Sequence, residues 1–303
     1  MTITDTDSSA SLPDDSGLML AARILAGGTE PKPLLEIVPP SGWAALDLRE
    51  VWRYRDLLVV LAERDIKLRY KQTALGIVWV ILQPLLAAGI FAFVFGKVLK
   101  APSDGVPYFM FSFVGLLGYN VFSNTLTRAS ACVVGNSQLV SKVYFPRLIL
   151  PLSTVGSTLI DFFVAAALLV AMMAYTHIWP GLPVLLLPLW LLLMILLAVG
   201  LGLYTAALMV SYRDLQYVIP VLLQLILYAS PVAYPVAAVP AKYQFWFHAN
   251  PVSGLLEAFR WSLMGRGSIE WPAVAYSIAV VIVVSIAGAF SFKRMERKFA
   301  DVI

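Results

Sequence analysis

Residues 184–210 read VLLLPLWLLLMILLAVGLGLYTAALMV, 27 residues without a single Asp, Glu, Lys or Arg. A helix rises about 1.5 Å per residue, so this stretch reaches about 40 Å, more than the ~30 Å hydrocarbon core of a bilayer. The rest of the chain agrees with it. Of 303 residues, 60% are hydrophobic and 13% charged, with a mean hydropathy of +0.81. Soluble domains run at about 45–50% apolar and about 25% charged. Residues 1–71 and 293–303 hold 26 of the 40 charges, leaving 14 for the 221 residues between. Charged ends around a charge-poor middle mark a multi-span membrane protein. The composition excludes disorder, a secreted disulfide scaffold and a nucleic-acid binder. Cys132 is the only cysteine, which rules out an internal disulfide, and His177 and His248 alone make no metal site.

Five further apolar segments accompany the first, at 75–95, 108–131, 148–175, 217–234 and 272–292. Six transmembrane helices in an all-α integral membrane fold are expected. The fifth is the least regular, interrupted by Pro231 and Pro235. With both termini cytoplasmic, seventeen Lys/Arg fall on the inner side and five on the outer. Excess basic residues stay inside, so the expected topology is N-in, C-in.

Three segments outside the spans carry their own pattern. Residues 1–45 are rich in Asp, Ser, Pro and Gly and read as a largely disordered cytoplasmic tail. Residues 47–71 open with a capping box, Asp47 to Glu50, and repeat apolar residues at Leu48, Val51, Trp52, Leu58, Val59, Ala62 and Ile66. Arg49, Arg53, Arg55, Arg64, Lys67, Arg69 and Lys71 take the other face, as in a helix lying among lipid headgroups or, alternatively, a solvated helix packed on its own protein. Between spans two and three, VVGNSQLVSKVYFPR (133–147) offers Asn136 or Ser137 as cap of a short helix that Pro146 ends. Between spans five and six, Asn250-Pro251 starts a helix with Leu255, Leu256, Phe259 and Leu263 on one face. At thirteen residues, 252–264 is too short to span, so a re-entrant or interfacial helix is expected.

Charges inside apolar surroundings need partners. Asp161 lies in the third span, either hydrogen-bonded between helices or on a transport path. Arg213 and Asp214 read as a pair capping the fifth span and touching the short inner helix. Glu257 and Arg260, three apart on one helical face, either pair locally or hold re-entrant helices or subunits together. Tyr234, Tyr243, Phe245 and Trp246 cluster at the external mouth, where aromatic faces can stack on sugar rings. No catalytic motif is present, and no G-x-x-x-x-G-K-[ST] phosphate loop. Catalytic residues are therefore not expected, and ATP-driven transport would need the ATPase on another polypeptide.

Four runs give a more specific reading. LAERDIKLRYKQTALGIVWVILQPLL (61–86), LVSKVYFPRLILPLS (139–153), SYRDLQYVIPVLLQLILYASPVAYP (211–235) and NPVSGLLEAFRWSLMG (250–265) resemble type 2 ATP-binding-cassette permeases that export O-antigen, capsule or teichoic acid. The resemblance covers about residues 46–300, making 46–303 the transmembrane domain; the acidic tail departs from it. It implies a homodimer bound to two ATPase subunits that carry ATP and Mg, moving a lipid-linked glycan across the bacterial inner membrane. The short inner helix would be the coupling helix, with Ser137, Gln138, Leu139, Ser141, Lys142, Tyr144 and Phe145 at the ATPase contact. Arg64, Lys67, Arg69 and Lys71 stand near the channel entrance, where they would hold either a diphosphate headgroup or anionic lipids.

Other functions make different demands. A secondary transporter would show paired midplane charges and internal repeats. An enzyme on lipid-linked sugars would need a close carboxylate pair, which Asp104, Glu257 and Glu270 do not form by spacing. A lipid or drug exporter of the same class would share the architecture and differ in cargo.

Overall fold

The computed structural model describes residues 48–71, 76–267, 269–296 and 299. The expected tail at 1–45 and the Asp47 cap lie outside the described residues. Among the described residues all regular structure is helical. In chain order the α-helices are α1 (Leu48–Arg53), α2 (Arg55–Lys71), α3 (Gly76–Phe91), α4 (Tyr108–Gly135), α5 (Ser137–Lys142), α6 (Ile149–Thr176), α7 (Leu187–Ser211), α8 (Leu215–Ala229), α9 (Ala241–Ala249), α10 (Pro251–Met264) and α11 (Trp271–Glu296). A π-helical stretch, Ala92–Val98, prolongs α3, and a 3-10 turn, Leu182–Leu186, leads into α7.

Among the described residues four helical stretches are long and apolar enough to cross a membrane: Val78–Val98, Ile149–Thr176, Leu182–Ser211 and Trp271–Glu296. The other two expected spans differ, for separate reasons. Helix α4 has 28 residues, about 42 Å, but includes Asn120, Asn124 and Arg128. It packs against α3, α6, α7, α8 and α10, so neighbouring helices replace lipid around most of it. A central helix need not be as oily as one facing lipid. The fifth expected span, 217–234, stops early: α8 has 15 residues, about 22 Å, with Pro220 inside. Proline disfavours helical backbone in the residue before it, and Ser230, just before Pro231, is extended with ψ 151°. Residues 230–234 then form a packed turn, with Val232 and Ala233 buried.

The expected inner amphipathic helix is also interrupted, at Tyr54, between α1 and α2. Its second part packs on the protein itself, as the alternative reading has it: α2 lies along α6. Gly156 permits the close approach, since a Cβ there would come within 3.2 Å of the Ala62 Cβ. Leu61 is buried in this contact, while Trp52, Val59, Val60 and Leu68 face outward. Arg64 and Arg69, expected on the face opposite the apolar stripe, reach toward the bundle, to Asn136 and Asp161. Helices α7 and α11 meet even more closely, because Gly200 and Gly288 oppose each other and a Cβ on Gly288 would strike the Gly200 carbonyl. Without bulk hydrophobic force between helices in lipid, such small-residue contacts supply the packing.

The long helix α4 gives the bundle two ends. One holds Arg128, Asn136, α2 and α5; the other holds Phe111, α10 and the turn at 230–234. At the first end Arg147 also closes on α11, its guanidinium donating to the Glu296 carbonyl at 3.0 Å and lying over the Phe299 ring.

Candidate functional site

Asp161 is the hub of the Arg128 end. Its side chain is 8% exposed. Oδ2 meets Arg128 at 2.6 Å and Arg69 at 3.0 Å. Oδ1 accepts from the Tyr70 hydroxyl at 2.6 Å. Arg128 also donates to the Ser157 hydroxyl at 2.5 Å. One carboxylate thus joins α2, α4 and α6, and two guanidiniums against it leave a net positive charge. Burial and the bond to Asp161 push the Tyr70 hydroxyl above its ordinary titration range, so it stays a donor at neutral pH. Of the alternatives for Asp161, hydrogen bonding between helices is what the geometry displays.

The other basic residues expected at the entrance diverge. Arg64 donates to Asp65 and, at 2.8 Å, to the Asn136 side-chain oxygen. Lys67 pairs with Glu63 four residues back at 2.9 Å, both exposed. Such surface pairs contribute little. The side chain of Lys71 lies outside the described residues. No motif in the sequence singles out Tyr70 or Arg128 as partners of Asp161, or Asn136 as a partner of Arg64.

The short helix α5 is where the 133–147 pattern expects it. Asn136 precedes it but does not cap it; its amide donates to the Cys132 carbonyl, and its oxygen is taken by Arg64. The helix ends at Lys142, and Val143 is already extended, three residues before Pro146, so the proline is not what stops it. Gln138, Ser141, Lys142, Val143 and Tyr144 are exposed or partly so, Tyr144 at 71%, and Ser137 and Leu139 are half-buried. Phe145 corrects the expectation. Extended backbone alternates its side chains, so with Tyr144 outward Phe145 points inward, 4% exposed in the core. It anchors the segment and presents nothing to a partner.

At the opposite end Arg260 is buried beneath the 230–236 turn. Its guanidinium donates to the carbonyls of Pro231 at 2.5 Å and Val232 at 3.0 Å and lies 4.0 Å over the Phe111 ring. Glu257 accepts from the Val236 amide at 3.1 Å. The two residues do not pair with each other; both fasten the turn to α10. The start and stop of α10 follow the sequence, with Asn250 accepting from the Val252 amide and Gly265 ending the helix at φ 61°. Arg213 and Asp214 do not form the expected pair. Both are exposed, and the Asp214 side chain caps nothing; only its backbone carbonyl accepts, from the Tyr217 and Val218 amides.

The four exit aromatics separate into two groups. Tyr243, Phe245 and Trp246 stand exposed on α9, with Phe245 and Trp246 in edge contact. Tyr234 instead packs against Phe95 and Phe247 and donates to the Tyr228 carbonyl. No group of three His, Cys, Asp or Glu able to hold a metal occurs among the described residues.

Residues 56–264, from the start of α2 through α10, match the ABC-2 type transporter family. The chain belongs to that family. Among relatives of this ABC-2 transporter, the O-antigen export system permease protein RfbA of Myxococcus xanthus is 30% identical over 259 residues, 84% of this chain and 98% of the relative. The protein of the same name from Klebsiella pneumoniae is 26% identical, covering 82% of this chain and 95% of the relative. The polysialic acid transport protein KpsM of Escherichia coli is 25% identical, covering 77% and 91%. In this ABC-2 transporter the matched region contains both the Asp161 hub and the Arg260 clamp.

Proposed function

We propose that this chain is the membrane permease of an ATP-driven exporter that moves a lipid-linked polysaccharide, of O-antigen, capsule or teichoic-acid type, out of the cytoplasm. The observation that carries the reading is the match to polysaccharide-export permeases over 91–98% of their length. In this reading six passes place both termini in the cytoplasm of a bacterial inner membrane, with α3, α4, α6, α7, α8 and α11 as the passes. Two copies enclose the conduit, and two ATPase subunits carrying ATP and Mg bind beneath it. The Arg128 end faces the cytoplasm. There Gln138, Ser141, Lys142, Val143 and Tyr144 form the seat for the ATPase, and Arg64 and Arg69 flank the glycan entrance. Tyr243, Phe245 and Trp246 line the exit.

The arrangement supplies a mechanical route. Displacement of α5 is felt by Arg64 through Asn136, and therefore by α2. Helix α2 in turn holds the α4 and α6 walls through Arg69, Tyr70 and Asp161. A drug or lipid exporter of the same class remains the second reading, favoured by the outward apolar face of α2.

The test is transport in proteoliposomes holding the permease with its ATPase. ATP should move a lipid-linked glycan across the bilayer, with no need for a proton gradient. Transport of bare lipid with the glycan-linked substrate ignored would assign it to the second reading, and movement driven by a proton gradient alone would overturn both.

A further inference from the structure

One cleft in the bundle has a chemistry that the hub does not explain. Beside Asp161, between α3, α4 and α6, it is lined by Gln83, Asn120, Asn124 and Thr158. Asn120, Asn124 and Arg128 follow at intervals of four on α4, so all three share one face. That face is a polar row climbing from the hub into the bundle. Above it the lining turns apolar, with Leu117, Phe162 and Ala165. Among the described residues none of the three carboxamides has a hydrogen-bond partner, although the hub beside them is fully paired. Gln83 is exposed and Asn120 and Asn124 are half-buried, so their amides are open to the cleft, and carboxamides at membrane depth persist where they face water or a polar ligand.

The kind of polar group follows from the donor set. A carboxamide both donates and accepts, as does the Thr158 hydroxyl. A phosphate has only acceptors to offer and seeks an excess of cations, but the charged groups on the cleft wall are one of each sign, Arg69 and Asp161, paired at 3.0 Å, and Arg128 lies behind them. A sugar ring presents hydroxyls that donate and accept in equal measure, and an apolar C–H face suited to Leu117 and Phe162. We propose that this cleft is a subsite for a neutral sugar ring, held through its hydroxyls by Asn120, Asn124 and Gln83. It rests on the export reading and deepens it, locating a point where the glycan touches the wall near its entry.

The experiment uses the assembled permease–ATPase complex in nanodiscs. Val80, which lines the cleft without a polar role, is changed by Val80→Cys in a Cys132→Ala background, and its alkylation by a water-soluble maleimide is timed. The probes are methyl glycosides of glucose, galactose, mannose and rhamnose, with inorganic pyrophosphate as the competing chemistry. At about twice its dissociation constant, a glycoside should slow labelling about threefold. A control thiol from Ser211→Cys, exposed at the end of α7 and away from the cleft, should be unaffected. Adding Asn120→Leu and Asn124→Leu should abolish the protection; if that pair fails to assemble, Asn120→Ser with Asn124→Ser should weaken it. Protection by pyrophosphate and not by glycosides would overturn the proposal in favour of an anion site. Absence of protection by any glycoside would overturn it too, as would a disulfide joining two copies through the thiol introduced by Val80→Cys. Transport of lipid-linked glycan by the same preparation is measured in parallel. Transport without glycoside protection sinks the subsite alone, whereas protection without transport sinks the export reading alone.

Discussion

The two ends of the bundle each bury an arginine, and they do so in opposite ways. Arg260 donates from Nη2 to two backbone carbonyls of a proline-rich turn and lies over one ring face, while its buried Nε has no hydrogen-bond partner among the described residues. Arg128 is satisfied by a carboxylate and a hydroxyl on another helix, and shares that carboxylate with a third. Backbone carbonyls in a packed turn offer no second arrangement, so the Arg260 end is a clamp. Side-chain ion pairs at a partly wet rim, where the Arg69 side chain is 38% exposed, can be exchanged as helices slide. On the proposed export reading, the Arg128 end is where motion would enter the wall, and the Arg260 end is where the wall would be held.

The comparison breaks most readily at the clamp. Arg260→Leu strips donors from two buried carbonyls and should cost about 3 kcal/mol, read as loss of folded protein on mild heating in detergent. Arg260→Lys should recover part of the loss, because both carbonyls accept from one nitrogen, Nη2, and an ammonium carries enough donors for two acceptors, while the stacking on Phe111 is lost. Gly115→Ala acts on the same place from α4, since its Cβ would strike the Val232 carbonyl and crowd the Arg260 guanidinium. Overpacking of that kind should cost about 2 kcal/mol in the same heating assay.

At the hub the balance should shift from stability to transport. Asp161→Asn keeps the shape but frees two guanidiniums; it should lower ATP-driven export about tenfold, a difference of about 1.4 kcal/mol in the barrier, while the protein stays assembled. Equal loss of assembly in Asp161→Asn and Arg260→Leu would erase the distinction between the ends. The smallest effect belongs to Lys67→Ala, which removes an exposed pair and should change stability by less than about 0.5 kcal/mol. A large export defect there would move the entrance outward along α2.

Some of this is plain in the sequence and the rest is hidden for identifiable reasons. Helix α10 is legible because its signals are local: Asn250-Pro251 to start, Gly265 to stop, and an apolar face at helical spacing. The sequence overextends α8 because apolarity continues past Ala229, while the rule that Pro231 imposes on Ser230 acts on backbone alone. The partners of Asp161 lie 33 and 91 or 92 residues away, and no local pattern announces a contact at that separation. The spacing of Asn120, Asn124 and Arg128 is visible in the chain, and it marks a polar face on a helix otherwise read as a span. Phe145 and Tyr144 are both aromatic, adjacent and unbranched, so only the extended backbone at Val143 decides which one points inward.

The most direct test of the account compares the two ends with one reagent. A photoreactive phenylalanine analogue is placed at Tyr144 in one preparation and at Trp246 in another, both exposed at 71%, and the complex with its ATPase is irradiated. The account predicts that position 144 captures the ATPase subunit and position 246 does not. Capture from 246, or none from 144 in a complex that still hydrolyses ATP, would contradict it.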